Sequence, residues 1–258
     1  MLILVAVADH NMLGCWTQEF LVIPAEWDYT GKIITRVGPS IQICLERQAK
    51  GKHNGEVWNK VYKSDNAFFG QDASNFALLC FNHMKMNNVR RILELGAGHG
   101  RDTILFASNG IEVEAVDYSN IAIQILDKIT KEKKLPITPR IFDVRRALPF
   151  PDSYFDAVYS HMFLNMRFSL DELYFLFSEI RRVLKRKGFN FFSVRNHNDK
   201  SYGEGVQIDK GIYDINGFQV RFFTEKEIHG LMEGFEMLWM GEENEEPVNL
   251  YIVFSKKI

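Results

Sequence analysis

Apolar and polar positions alternate along the middle of the chain in blocks that predict strands and helices in turn. Short apolar runs predict strands at 91–95, 112–117, 139–143, 155–161 and 189–195. The segments between them carry helical spacing at 101–108, 120–134 and 170–187. Alternation of this kind is typical of a parallel sheet with helices packed on both faces.

The C-terminal part breaks the alternation. Thr224, followed by acids at 225 and 227, predicts a capped helix start. Two strands then follow at 235–240 and 248–255, joined directly by an acidic turn at 242–247. Strands joined without a crossover pair in antiparallel fashion. The predicted fold is therefore a doubly wound α/β sheet of seven strands, mostly parallel, that ends in an antiparallel hairpin.

The first 54 residues follow another pattern. They contain short β-prone runs at 2–8, 20–23 and 32–37 and a helical stretch at 41–50, with no chemical motif. A turn-forming segment at 51–55 separates them from helices predicted at 56–63 and 73–86. We expect an N-terminal extension at 1–54 and a domain at 55–258. In that domain, 55–87 supplies helices and a lid, and 88–258 forms the core.

Composition and charge argue against nucleic-acid and membrane partners and indicate a reducing compartment. The 258 residues carry a formal net charge of -2, which provides no basic field for nucleic acid. The basic cluster at 181–187 is explained by cations at a helix C-terminus. The three cysteines are far apart, which fits a reducing cytoplasm and argues against a zinc site. The apolar run at 2–8 is too short to span a membrane.

A glycine-rich turn follows the first strand of the core. Gly96, Gly98 and Gly100 are spaced G-x-G-x-G, whereas a dinucleotide turn has the pattern G-x-G-x-x-G. Arg101 stands where the dinucleotide pattern requires a third small residue. Glu94 lies just before the glycines, where its carboxylate would repel a pyrophosphate. The turn therefore favours a nucleoside joined to a cation over a dinucleotide.

Two further acids end the next strands of the predicted sheet. Asp117 follows the turn by about 20 residues and can accept hydrogen bonds from both hydroxyls of a ribose. Asp143 ends the third strand, where it can contact an adenine amino group. With Glu94, these acids lie at the rim where open α/β sheets bind ligands.

These motifs together resemble those of the class I S-adenosylmethionine-dependent methyltransferases. The resemblance runs from Trp58 to the C-terminus, and its matching segments are 94–100, 116–119, 143–144, 148–150, 155–158 and 184–188. The continuation Gly-Arg-Asp-Thr at 100–103 is similar to the tellurite-resistance and thiopurine branch, whose members methylate small molecules. A Rossmann-like fold and S-adenosylmethionine as cofactor, with S-adenosylhomocysteine as product, are what the resemblance implies.

The resemblance also implies roles for single residues. Glu94 would lie near the methionine ammonium group, Gly96 and Gly98 would let the methionine approach backbone, and Asp117 would bind the ribose. The whole implied cofactor set is Glu94, Gly96, Ala97, Gly98, Asp117, Tyr118, Ser119, Asp143, Val144 and Ser160.

The sequence gives fewer indications of the residues that bind the methyl acceptor. His161 ends the fourth strand and is the candidate base, and Asn165 could orient a substrate. Further substrate-side candidates are Trp58, Tyr62, Phe69 and Tyr202. No acid ends the fourth strand, which argues against a metal site, and the sequence after it lacks the Asn/Asp-Pro-Pro motif of enzymes that methylate exocyclic amines.

We expect a methyltransferase that acts on a small molecule, without a nucleic-acid or membrane partner. The alternatives are a regulatory module that binds S-adenosylmethionine, a methyltransferase acting on protein or RNA, and a nicotinamide oxidoreductase. The sequence leaves the acceptor and the oligomeric state open.

Overall fold

A computed structural model gives the backbone of 2–10, 16–24, 26–27 and 33–34, and describes residues 57–64, 70 and 72–258 in full. The chain divides into two compact units, Met1–Asn54 and Gly55–Ile258. In the first unit, strands β1 (Leu2–His10) and β2 (Trp16–Pro24) pair antiparallel, as do β3 (Glu26–Trp27) and β4 (Ile33–Ile34). The helix predicted at 41–50 lies outside the described residues.

The second unit is built on a seven-stranded sheet. In spatial order its strands are β13 (Phe235–Glu245), β14 (Val248–Lys257), β9 (Leu184–Arg195), β8 (Phe155–Ser160), β5 (Arg91–Leu95), β6 (Glu112–Asp117) and β7 (Ile137–Ile141). The pairs from β9 to β7 are parallel, and β9, β14 and β13 pair antiparallel. The predicted Rossmann-like sheet with a closing antiparallel hairpin is confirmed.

Helices cover both faces of this sheet. They are α1 (57–64), α2 (Asn75–Met86), α3 (Arg101–Ser108), α4 (Asn120–Lys133), α5 (Leu170–Val183) and α6 (Glu225–Leu231). Neighbouring strand residues point to opposite faces, and Leu93 and Ile92 accordingly belong to different apolar clusters. The Leu93 cluster includes Phe177 of α5, and the Ile92 cluster includes Phe76 of α2.

Among the predicted boundaries that were wrong are those of helix α5, of strand β9, which begins at Leu184 rather than at 189, and of strand β7. Helix α5 ends at Val183 rather than at 187, because Leu184 is extended and pairs with Phe155 of β8. The basic residues beyond it therefore belong to a strand and not to a helix end. Strand β7 covers Ile137–Ile141 rather than 139–143. Proline at 139 is accommodated inside it because β7 is an edge strand.

A second, small sheet lies at 206–221, where the sequence pattern predicted no strand. Strands β10 (Val206–Asp209), β11 (Ile212–Ile215) and β12 (Phe218–Arg221) form an antiparallel sheet of three. Asn216 and Gly217 both have positive φ, 53° and 87°. This is the type I′ hairpin turn that an Asn-Gly pair favours.

The C-terminal hairpin is longer than predicted. The segment 242–245, which contains three glutamates, continues strand β13, and the turn consists of Glu246 and Pro247. Strand β13 therefore carries acidic side chains to the carboxyl edge of the sheet. Within the described part of the chain, none of the helices is long and apolar enough to cross a membrane.

Candidate functional site

The glycine turn is held against the neighbouring strand by backbone hydrogen bonds. Gly96 and Ala97 donate to the carbonyl of Val116 at 2.9 and 3.1 Å. Gly96, Gly98 and Gly100 have φ values of 73°, 55° and 93°, which glycine adopts without strain. Sequence and geometry therefore agree on why glycines stand here.

The Asp117 carboxylate holds the glycine turn by hydrogen bonds to its backbone. Its Oδ2 accepts the Gly98 N–H at 2.8 Å, and its Oδ1 accepts the Ser119 N–H at 2.7 Å. Burial raises the pKa of Asp117, although both N–H groups act in the opposite direction. Each carboxylate oxygen can accept more than one hydrogen bond, so ribose hydroxyls can still be bound.

Ser119 connects this corner to the segment before the core. Its side chain is buried and caps α4 by accepting the Ala122 N–H, while its hydroxyl donates to Asn59 Oδ1 at 2.7 Å. Helix α1, which contains Asn59, therefore lies beside Asp117 at the carboxyl edge of the sheet.

Glu94 lies buried beneath the turn, with 3% of its surface exposed. Among the described residues, its Oε2 has no hydrogen-bond partner. Burial raises its pKa well above the usual range and the Asp102 carboxylate raises it further, whereas the Thr103 hydroxyl and then Arg101 act in the opposite direction. A buried carboxylate is costly unless it is paired, so this position favours a cationic ligand.

Aromatic side chains cover the turn. The Phe163 ring packs directly on Gly96, and the Tyr62 hydroxyl lies over Gly98. Trp58 donates from Nε1 to the sulfur of Met166 at 3.2 Å. Its ring centre is 5.9 Å from that of Phe218 in β12. Helix α1 and the loop after β8 thus lie over the glycines, and the small sheet contacts helix α1. Phe69 lies outside the described residues.

The residues implied for adenine lie just beyond the carboxyl ends of strands β6 and β7. Asp143 Oδ1 accepts hydrogen bonds from the N–H and Nε of Arg145 at 3.1 and 2.9 Å. The Arg145 guanidinium lies 5.7 Å from the centre of the Tyr118 ring, and Val144 is buried. Their contacts to a nucleoside stay a prediction.

His161 follows the buried Ser160 at the end of β8. Its Nδ1 lies 2.7 Å from Ser193 Oγ, and its Nε2 lies 3.2 Å from Glu245 Oε2. The ring also packs on Phe76, with centres 5.5 Å apart. Both ring nitrogens face protein groups, so the role of base, which stays a prediction, requires one of these contacts to open.

Two other acceptor-side candidates are engaged in structural contacts. Asn165 is buried, and its Oδ1 accepts the Arg195 N–H at 2.7 Å. Tyr202 stacks on His197 with ring centres 4.1 Å apart and packs against Phe222. Their contacts anchor the segment after β9, and their roles toward a substrate stay predictions.

Sequence reasoning missed two groups at this edge. Asp102 accepts hydrogen bonds from the Ser74 N–H at 2.8 Å and from the Tyr159 hydroxyl at 2.8 Å. Glu245 lies 3.4 Å from the Arg101 guanidinium as well as beside His161. These partners are 28 to 144 residues apart in sequence, so a local motif could not reveal them.

A glycine turn after the central strand, with acids at or just beyond the carboxyl ends of three neighbouring parallel strands, is typical of the nucleotide-type sites of doubly wound folds. Residues 92–188 match the family model described as a methyltransferase domain. The fold around that region is the Rossmann-like fold of the class I methyltransferases. The described residues contain no cluster of His, Cys, Asp and Glu able to hold a metal ion.

Solved structures share this fold at low sequence identity. One S-adenosylmethionine-dependent methyltransferase, from Methanosarcina mazei, is 22% identical with a TM-score of 0.59, and the alignment covers 65% of this chain and 92% of that one. Another, from Clostridium acetobutylicum, is 15% identical with a TM-score of 0.61 and coverages of 83% and 99%. TehB from Haemophilus influenzae is 17% identical with a TM-score of 0.53 and coverages of 69% and 60%. A search of curated sequences gives no match.

Proposed function

We propose that the protein is a cytoplasmic S-adenosylmethionine-dependent methyltransferase with a small-molecule acceptor. The observation that carries the proposal is the pairing of a glycine turn with the buried carboxylate of Glu94, whose Oε2 is unpartnered among the described residues. A pyrophosphate would be repelled at this point, whereas an ammonium or sulfonium group would be stabilised. We place the methyltransferase domain at 55–258, with 55–87 as its cover.

In this proposal different residues at the carboxyl edge of the sheet bind different parts of the cofactor. Asp117 holds the ribose, Asp143 and Val144 hold the adenine edge, and Glu94 attracts the methionine ammonium group. The bound cofactor supplies an activated methyl group. The protein contributes positioning and the exclusion of water, which aromatic covers such as Tyr62 and Phe163 favour.

The acceptor class rests on two observations. The net charge of -2 and the acidic carboxyl edge do not suit a nucleic-acid backbone. Phe163 packs on Gly96 of the turn, and Trp58 of the covering helix contacts Met166 and Phe218. We therefore favour small acceptors with apolar surface.

The reaction is tested by release of S-adenosylhomocysteine from S-adenosylmethionine in the presence of thiols, amines, phenols and metalloid anions. We expect product above the acceptor-free background for at least one small-molecule class. Product only with proteins or RNA would contradict the acceptor class, and no product with any acceptor would favour a binding module. An Asp117→Ala protein serves as the control without a functional cofactor site.

Binding should also release protons. The buried Glu94 has a raised pKa in the empty protein, and a cation beside it would lower that pKa. Binding therefore drives ionisation, and the affinity should increase as pH rises towards the pKa of the empty protein. Calorimetry of S-adenosylhomocysteine in buffers of different ionisation enthalpy measures the released protons.

The matched control is Glu94→Gln, which keeps the shape of the side chain but cannot ionise. We expect this variant to release fewer protons and to bind about tenfold more weakly, since one charge-assisted hydrogen bond contributes on the order of 1.5 kcal/mol. Equal proton release by the variant and the wild type would contradict the role of Glu94.

A further inference from the structure

Three side chains at the carboxyl edge of the sheet carry buried polar atoms that lack hydrogen-bond partners. His161 Nε2, Glu243 Oε2 and Glu245 Oε2 are all buried, and none of them makes a hydrogen bond with a described residue. A buried polar atom without a partner costs free energy, so such atoms are rare in folded proteins. A ligand that supplied the missing partners would remove this cost.

Two of these atoms are directly adjacent. Glu245 Oε2 lies 3.2 Å from His161 Nε2, and the Glu245 and His161 side chains are 26% and 6% exposed. The orientation of the imidazole gives no hydrogen bond between them. A nitrogen placed about 2.8 Å from both atoms, the usual length of a charge-assisted hydrogen bond, forms a triangle with them and requires neither to move.

Glu243 lies on the same face of strand β13 as Glu245. The pairing of β13 with β14 is regular from Trp239 to Glu245, and side chains two residues apart in a strand point the same way. On this face the Trp239 ring lies over Gly241, so the face is apolar as far as Gly241 and acidic beyond it. Burial and the nearby Glu245 carboxylate raise the pKa of Glu243, whereas His161 lowers it.

The charges of the described residues around these atoms do not balance. Glu245 Oε1 lies 3.4 Å from the Arg101 guanidinium, which also lies 3.7 Å from Asp102. Glu245 Oε2 and Glu243 Oε2 remain directed at the interior. Three carboxylates around one guanidinium carry an excess of negative charge, which favours a cationic ligand and repels an anionic one.

His161 adds an acceptor of a different kind. Its Nδ1 lies 2.7 Å from Ser193 Oγ, which also accepts the Met162 N–H at 2.9 Å, and Phe76 packs on the ring. A neutral imidazole that donates from Nδ1 has a lone pair at Nε2. The two glutamate oxygens and Nε2 are then three acceptors, and a primary ammonium group has three N–H donors.

We propose that the methyl acceptor is a primary aliphatic amine, which binds as an ammonium group to Glu243, Glu245 and His161. The inference rests on the proposed function and narrows its acceptor class. An aliphatic amine is protonated at neutral pH. Passage of one proton from the ammonium group to His161 Nε2 leaves a neutral amine, whose lone pair is the nucleophile that methyl transfer requires. The Glu245 carboxylate stabilises the resulting imidazolium.

The test compares amines with alcohols of the same carbon skeleton. Calorimetry measures the binding of phenethylamine, phenethyl alcohol, hexylamine and hexanol to the protein saturated with S-adenosylhomocysteine. We expect at least one amine to bind about tenfold more tightly than its alcohol, which is the factor that one charge-assisted hydrogen bond provides. The ratio of the two affinities is the readout, because a general loss of structure would weaken both ligands.

The variants Glu243→Gln and Glu245→Gln should each lower this ratio, and the double variant Glu243→Gln/Glu245→Gln should bring it to about one. The matched control is Glu242→Gln, on the opposite face of the same strand, whose carboxylate contacts Asn198. We expect this control to keep the ratio of the wild type.

The inference is overturned if both alcohols bind the wild type as tightly as their amines, if the double variant keeps the ratio, or if Glu242→Gln lowers it equally. Where a variant does not fold, the ratio in the wild type decides. Methyl transfer only to thiols, phenols or metalloid anions would refute this inference and leave the proposed function standing. Failure of the wild type to bind S-adenosylhomocysteine would instead refute the proposed function.

Discussion

Replacing Asp117 by alanine should reduce the affinity for S-adenosylhomocysteine at least 100-fold. The side chain would lose its hydrogen bonds to the ribose hydroxyls, and the Gly98 N–H would lose its acceptor at 2.8 Å. Charge-assisted hydrogen bonds contribute about 1.5–3 kcal/mol each, and each tenfold loss corresponds to about 1.4 kcal/mol. Isothermal titration calorimetry measures the affinity, and circular dichroism verifies that the variant is folded.

The matched control is Asp127→Ala on helix α4. Its carboxylate is half-exposed and pairs with Lys131 one helical turn away, a kind of ion pair that contributes little to stability. We expect this variant to bind like the wild type. Binding by Asp117→Ala within threefold of the wild type would contradict the assignment of Asp117 to the cofactor site.

Replacing Gly96 by alanine should both destabilise the protein and abolish cofactor binding. A Cβ at this position would clash with the inner atoms of the Phe163 side chain, which cannot rotate away without moving the residue. The positive φ of 73° adds backbone strain. Together these effects should lower the free energy of unfolding by about 2–4 kcal/mol, as measured by chemical denaturation.

The Gly110→Ala variant separates the effect of backbone strain from that of the steric clash. Gly110 has a φ of 83°, yet a Cβ there would meet no atom within 4 Å. Backbone strain alone should cost about 1 kcal/mol, with cofactor affinity unchanged. Equal losses of stability in the two variants would show that close packing on Gly96 is not the reason for glycine at this position.

The periodic part of the fold could be predicted from local sequence. Strands 91–95 and 112–117 and helix 101–108 agree with the structure to the residue, because apolar periodicity and glycine punctuation coincide there. The end of α5 could not be predicted. The residues after Val183 are good helix formers, and only the pairing of Leu184 with Phe155 makes them extended.

The small sheet is a different case, because its signal was present in the sequence. Asn216 and Gly217 stand between alternating residues and are typical of a hairpin turn. The four-residue strands were too short to stand out from a loop. The contacts of Glu245, in contrast, could not be predicted from local sequence. Its acidic neighbours suggest a solvated turn, and only the three-dimensional path of β13 brings it to Arg101 and His161.

The candidate cofactor residues could be proposed from the sequence because their chemistry is local to strand ends. Glu94 and Asp117 follow from their positions beside the glycine turn, and the structure places both there. The acceptor side depends on contacts between distant segments, such as Trp58 with Met166. No local pattern encodes such contacts, so the acceptor is to be established by experiment.

The most direct test of the account is a parallel titration of the wild-type protein with S-adenosylhomocysteine and with NADH. The account predicts saturable binding of one S-adenosylhomocysteine per chain and no binding of NADH, because Glu94 and Arg101 oppose a dinucleotide at this turn. Binding of NADH without binding of S-adenosylhomocysteine would contradict it, as would failure to bind either ligand.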